Sequence, residues 1–261
     1  TMGTAGTHGE LWGARARDWA DVQEPSVTAV YEAVLRKLHV GPDSTLLDVG
    51  CGAGLFCALA ARLGATIKGL DAAQDLIEIA IERVPQGDFR VGEMEELPFA
   101  SQTFDVVTGF NSFQFAANPV NALSEARRVA RAGAPVVITV WGKAEDCEAA
   151  ACLGAVAALL PPPPGTPGPF ALSEEGALEA LVSEAGLVPM ESAEVDTLWQ
   201  YPDEETALRG LLSAGPAARA IRNVGEQRVR ETVREALIPF KTSSGSYELS
   251  NRFRYLIAVS E

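Results

Sequence analysis

An α/β fold is predicted, with a seven-stranded, mostly parallel sheet carrying helices on both faces, a helical cap ahead of it and a helical lid inserted near its end. Three observations predict it. Between Thr45 and Val140 short β-branched runs alternate with longer helical patterns, as βαβ units on a parallel sheet do. The first of these strands runs into a glycine-rich loop that opens a helix. A helical stretch also separates the last two strand-like segments.

The cap is expected over residues 1–40, where Leu11–Val40 has a helical pattern through Val27, Val30, Val34, Leu35 and Leu38, led by a stretch bearing arginine and tryptophan. The core is expected over residues 41–202, with strands at Thr45–Val49, Thr66–Leu70, Asp88–Val91, Phe104–Phe110, Pro135–Val140 and Val188–Trp199. Leu55, Leu59 and Leu63 lie four apart on one helix face that Gly64 ends, and Leu76–Val84 repeats the pattern before Pro85. Pro161–Pro169 holds six prolines in nine residues and reads as a stiff loop. The lid is expected over residues 203–242, helical from Asp203 to Phe240 and carrying six of the seventeen arginines. A final strand, Arg252–Val259, falls within residues 243–261. Because the lid interrupts two strand-like segments, it belongs at the antiparallel end of the sheet.

Composition removes several function classes. The chain has 261 residues, 47% of them hydrophobic, and a formal net charge of −14, which repels a phosphate backbone and argues against nucleic acid as a partner. Cys51, Cys57, Cys147 and Cys152 match no paired zinc spacing and are too few for a disulfide scaffold, so no metal is expected and a reducing cytoplasm fits. The longest apolar run, Ala149–Leu160, is too short to insert in a membrane, and the start of the chain lacks the form of a secretory signal.

The chemistry concentrates in Leu46-Leu47-Asp48-Val49-Gly50-Cys51-Gly52-Ala53-Gly54, an apolar strand that ends in a carboxylate and a glycine loop. Glycines let the backbone approach a ligand whose polar groups meet free N–H groups at the helix start. The spacing is GxGxG, and Leu55 stands where a dinucleotide fingerprint wants its third glycine. Asp48 suits an ammonium group better than a pyrophosphate. Asp71, at the tip of the second strand, fits both the hydroxyls of a ribose and the capping of the helix that follows. Gly92-Glu93-Met94-Glu95-Glu96-Leu97-Pro98-Phe99 offers an acceptor and an apolar side chain suited to adenine.

The ordered motifs LLDVGCGAG, GLDAAQDLIEIA and GEMEELPFASQTFDVV resemble the class I S-adenosylmethionine-dependent methyltransferases, in particular the small-molecule branch of the ubiquinone and menaquinone biosynthesis type. The resemblance is strong over Leu11–Val140 and only in outline beyond. It implies a Rossmann-like core and S-adenosyl-L-methionine as cofactor. By that likeness Gly50, Cys51, Gly52 and Gly54 hold the methionine part, Asp48 faces its amino group, Asp71 with Ala72 takes the ribose, and Glu93 and Met94 border adenine. The family more often has aspartate where this chain has Glu93. Trp12 and Trp19 resemble the family's aromatic pair that closes over the cofactor, an arrangement favourable to a sulfonium.

Asn111-Ser112-Phe113-Gln114-Phe115 follows the fourth strand, at the carboxyl edge where open sheets put their ligands. It lacks the NPPY-type tetrapeptide of amino-methylating enzymes, so a small-molecule acceptor is expected, with Phe113 and Phe115 lining its pocket and Asn111 beside the cofactor. Transfer from a sulfonium is an in-line displacement that needs no covalent nucleophile. Asn111, Gln114, Tyr201 and Tyr247 are the candidates for orienting the acceptor, and His8 and His39 read as solvent-facing. Two rivals stay open: a protein that holds the cofactor without methyl transfer, as in a cyclisation, rearrangement or binding role, and a nicotinamide-dependent oxidoreductase. Oligomeric state is not legible.

Overall fold

The computed structural model describes residues 3–160 and 168–260, so most of the proline tract lies outside the described residues. Helices α1 (Ala5–Gly13), α2 (Ala16–Asp18) and α3 (Thr28–Lys37), with a π-helical turn at Trp19–Gln23 between the last two, precede the sheet. The core then runs β1 (Thr45–Val49), α4 (Leu55–Arg62), β2 (Thr66–Asp71), α5 (Gln74–Arg83), β3 (Asp88–Val91), β4 (Val106–Phe110), α6 (Pro119–Val129) and β5 (Pro135–Trp141). After α7 (Ala150–Ala157) and α8 (Ala177–Glu184) comes β6 (Leu187–Tyr201), followed by α9 (Glu204–Leu211), α10 (Gly215–Val224), α11 (Glu226–Leu237) and β7 (Tyr247–Ser260).

The seven strands form one sheet in the order β3-β2-β1-β4-β5-β7-β6, in which β7 alone runs against its neighbours. The α/β, Rossmann-like expectation holds. Side chains alternate across the sheet, as the two-residue period of a strand requires. Leu47, Val49, Val107, Val136 and Ile138 pack toward α6 and α8, while Leu46, Ile67 and Val106 pack toward α3 and α4. The strand order reverses between β1 and β4, the place where open α/β sheets leave a crevice at their carboxyl edge.

Three local expectations change. The last strand starts at Tyr247 rather than Arg252. Strand β4 starts at Val106 rather than Phe104, which makes only an isolated bridge to Ala130. The buried face of α4 is Phe56, Cys57 and Ala60, not the leucine row, and Leu63 is exposed. The start of α4 lies close to α5: a Cβ on Gly54, just ahead of the helix, would stand 2.8 Å from that of Ala80.

The early helices and the helices between β6 and β7 meet over the carboxyl edge. Helix α1 lies on the chain after β2, so close that a Cβ on Gly9 would come within 2.3 Å of the Ala72 carbonyl oxygen. Asp203 caps α9 by accepting the Thr206 N–H at 2.7 Å. Three ion pairs join the two arms: Glu10 with Arg222 at 3.1 Å, Arg15 with Glu226 at 2.9 Å, and Asp18 with Arg209 at 2.9 Å. Arg230 and Arg234 pair with Glu205 and Glu204, so most arginines of this insert are neutralised by carboxylates.

Candidate active site

The glycine loop is drawn onto β2 by two backbone bonds, from the N–H groups of Gly50 and Cys51 to the Leu70 carbonyl, at 2.7 and 3.0 Å. Gly50 has φ +74°, and a Cβ there would sit 2.3 Å from that of Ser112, so conformation and space both require glycine. Asp71 receives the Gly52 N–H on one carboxylate oxygen and the Ala73 N–H on the other, both at 2.9 Å. Burial pushes its pKa up, against the pull of these backbone donors. Asp71 therefore holds the turn ahead of α5, whose N-cap is Ala73 and carries no side-chain cap, rather than capping that helix, and it lines the cavity.

Two further buried carboxyl groups flank the loop. Glu24 accepts the Leu55 N–H at 3.0 Å and pairs with Arg83 at 2.7 Å, while Arg83 also donates to the Ala53 and Ala20 carbonyls. Burial raises Glu24 to about 6 despite Arg83. Asp48 accepts the Thr108 hydroxyl at 2.7 Å, and burial raises it to about 8. Glu24, Asp48 and Asp71 feel one another's charge, and among the described residues Arg83 is the cation ion-paired with this group. A loop with Asp71 on the cavity wall, two buried acids close by and aromatic rings above suits a ligand that brings positive charge of its own. S-adenosylmethionine, with its ammonium and sulfonium, fits that donor set.

One cavity opens over the loop. Trp19, Gly50, Gly52, Asp71, Ala72, Glu93, Met94 and Asn111 all line it, as do Gln114 and Phe115. Trp12 meets Trp19 edge-on at 5.0 Å between ring centroids and Phe115 at 5.7 Å. The indole N–H of Trp19 is buried without a partner. Glu93 accepts the Ala5 N–H at 3.0 Å and the Glu95 N–H at 3.2 Å, so its carboxylate fastens the start of α1. Asn111 adopts φ +50°, uncommon for a residue with a side chain, and its N–H donates to the Thr139 carbonyl at 2.9 Å. The carboxamide oxygens of Asn111 and Gln114 are buried and unpartnered.

The structure does not bring six other candidates to the cavity wall. Asp48 lies on the sheet face beside Thr108 of β4 and is 2% exposed. Cys51 is buried with its thiol against Gly69, and burial holds that thiol protonated. Gly54 serves the packing of α4 on α5. Phe113 turns into the core beneath Gly109, whereas Phe115, two residues on, faces the cavity. Tyr201 is buried and donates its hydroxyl to Gln23 Oε1 at 2.7 Å, and Tyr247, its cross-strand neighbour, is buried in the same apolar cluster. Neither tyrosine reaches the space where an acceptor would lie.

His8 is a correction of another kind. It lines the cavity with its ring 5.4 Å from that of Phe115, and burial pushes its imidazole below the usual range against the pull of Glu93. His39 is exposed, as expected. Thr139, Trp141, Trp199 and Phe253 also line the cavity without having been expected there. Trp141 ends β5 at the carboxyl edge, which the strand pattern could have shown. Trp199 and Phe253 reach the wall through the antiparallel pairing of β6 and β7, for which the sequence carries no local mark.

Residues 47–138 match a family model described as a methyltransferase domain. A ubiquinone biosynthesis O-methyltransferase of Cereibacter sphaeroides is 32% identical over 150 residues, 56% of this chain and 61% of that protein. One of Xanthomonas oryzae pv. oryzae is 34% identical over 124 residues, 44% of this chain and 52% of the relative. The chain thus spans between half and two thirds of the length of these relatives. Among solved structures, the cyclase SpnF superposes with a TM-score of 0.58 at 18% identity, covering 88% of this chain and 80% of that one. A SAM-dependent methyltransferase from Aquifex aeolicus gives 0.52 at 20%, covering 70% and 92%. At these identities the structural likeness is one of fold.

Proposed function

We propose that this chain, whose residues 47–138 match the methyltransferase-domain model, transfers a methyl group from S-adenosylmethionine to a small-molecule acceptor. The carboxyl groups set about the glycine loop carry this reading: Asp71 on the cavity wall, with Glu24 and Asp48 buried off it, favours a cationic amino-acid nucleoside over a dinucleotide. When bound, S-adenosylmethionine supplies a methyl group on positively charged sulfur, open to in-line displacement. Asp71 keeps lone pairs for ribose hydroxyls beyond those given to Gly52 and Ala73. Trp12 and Trp19, packed edge-on to one another, bring aromatic face for the positive charge and keep water away. Asn111 and Gln114 hold the hydrogen of the attacking group and so align it.

The named activity of the curated relatives makes oxygen the first acceptor atom to test. The chain organisation supports a unit of residues 41–202 with 243–261, roofed by residues 1–40 and 203–242. A net charge of −14 and free, buried cysteines support a partner other than nucleic acid and a reducing cytoplasm. Among the described residues no helix is long and apolar enough to cross a membrane.

Calorimetric titration with S-adenosylmethionine and S-adenosylhomocysteine, followed by mass spectrometry of candidate acceptors for the gain of one methyl group, tests the reading. No affinity for either nucleoside would overturn it. Because the fold is shared with a cyclase, the second reading is a protein that holds the cofactor without methyl transfer. Release of S-adenosylhomocysteine separates the two.

A further inference from the structure

We propose that the cavity carries a subsite for a hydrogen-bond-accepting oxygen on an uncharged, flat aromatic acceptor, with Trp199 and Thr139 as its donors. The inference rests on the methyl-transfer reading and names the class of molecule that reading leaves open. Away from the glycine loop the wall is apolar and aromatic, built from Phe110, Trp141, Trp199, Leu211 and Phe253. The Trp141 ring lies 5.5 Å from that of Trp199 and 4.5 Å from that of Phe253. A flat ring gains most against such surfaces.

Charge narrows the class. Among the described lining residues the acidic and basic side chains are His8, Asp71 and Glu93. Asp71 and Glu93 are held by backbone donors at the cofactor end, and His8 stands with Glu93 and Phe115. A carboxylate, phosphate or ammonium group on the acceptor would lose its water and meet no counter-ion in this wall.

Polarity then fixes the pattern of groups on the acceptor. Trp199 is 5% exposed and Thr139 is 1% exposed; the indole N–H and the hydroxyl are both buried without a partner, and both residues line the cavity. An indole N–H can only donate, so a ligand oxygen satisfies it where an aliphatic group does not. The carboxamide oxygens of Asn111 and Gln114 are the complementary unpartnered groups and accept from a hydroxyl. Asn111 is bonded through its backbone to Thr139, so one acceptor and one donor share the β4–β5 edge, while Trp199 stands on β6 across the same cavity. The acceptor accordingly combines the hydroxyl to be methylated with a second oxygen, such as a carbonyl, elsewhere on its ring system.

The test uses the full chain saturated with S-adenosylhomocysteine and three matched probes: para-hydroxyacetophenone, para-ethylphenol, which differs by a methylene in place of the carbonyl, and para-hydroxybenzoate. Binding is read by calorimetry. The ketone should bind about tenfold tighter than para-ethylphenol, the size of one well-made hydrogen bond in a dry site, and the carboxylate weaker than both. Trp199→Phe, which keeps the aromatic wall, and Thr139→Val, which keeps the shape, should each shrink the preference for the ketone while leaving para-ethylphenol within about twofold. An unchanged preference in both variants, equal binding of the two neutral probes to the natural chain, or no binding of either would overturn the subsite alone. Absence of S-adenosylhomocysteine binding would instead remove the methyl-transfer reading, and the inference with it.

Discussion

Replacing Arg83 with methionine removes the cation that is ion-paired with Glu24. Glu24 is 2% exposed, and even beside Arg83 its carboxyl stands at about 6 instead of 4.5. At about 1.4 kcal/mol per pH unit, carrying this charge near neutrality costs the fold about 2 kcal/mol. Breaking one side of such a buried pair costs roughly 3–5 kcal/mol. Arg83→Met also loses the bonds to the Ala53 and Ala20 carbonyls. Urea denaturation near pH 8 should therefore show the variant about 4 kcal/mol less stable, with its midpoint lowered and its slope unchanged. A carboxyl whose folded pKa is raised contributes stability that is full below its unfolded value and is lost as pH rises through its folded value, here between 4.5 and about 6. Near pH 5 Glu24 is largely neutral and needs no cation, so the deficit should shrink to roughly 1–3 kcal/mol from the two carbonyl bonds. The double variant with Glu24→Gln should regain much of the loss near pH 8. Equal deficits at both pH values would refute the charge argument.

Asp48, raised by burial to about 8, gives a second pH signature. A cationic cofactor favours its charged form, so binding should release a proton near neutrality, and affinity for S-adenosylmethionine should climb from about pH 6 to about pH 8. Calorimetry in buffers of unlike ionisation enthalpy reads this, and an Asp48→Asn variant with the same pH slope would contradict it. Gly50 and Gly133 share φ +74°, yet a Cβ meets Ser112 at 2.3 Å in the first case and nothing within 4 Å in the second. Gly50→Ala should lose at least about 2 kcal/mol more than Gly133→Ala in thermal unfolding, and equal losses would show that the loop can shift aside. Tyr201→Phe should lower stability by about 1–2 kcal/mol through the lost Gln23 bond and leave kcat within about threefold. A hundredfold fall in kcat would return Tyr201 to the acceptor.

The sheet was legible because its central strands, β4 and β5 above all, are β-branched runs bounded by their own stop signals, and the glycine loop because Asp48, Gly50 and Gly52 lie within one short stretch of sequence. What failed to show depends on pairings between distant segments. Whether Asp48 faces the cofactor or the sheet turns on Thr108, sixty residues away. Phe113 and Phe115 differ by two positions, and a tight turn at Phe113–Phe115 sends them to opposite sides. Tyr201 and Tyr247 have the composition of catalytic residues, but the register of β6 on β7 puts both inside. His8 reads as a terminal residue until Glu93, far along the chain, anchors the first turn of α1 above the cavity.

The meeting of the two arms above the carboxyl edge has a kinetic meaning. Three partly exposed ion pairs hold that seam, each worth about 0–1 kcal/mol, and dissolved ions weaken them over a Debye length of about 8 Å. A fastening so shallow can part without unpacking the sheet below. Small molecules should then enter and leave faster as ionic strength rises, while the buried floor of the site, out of reach of the salt, keeps its grip.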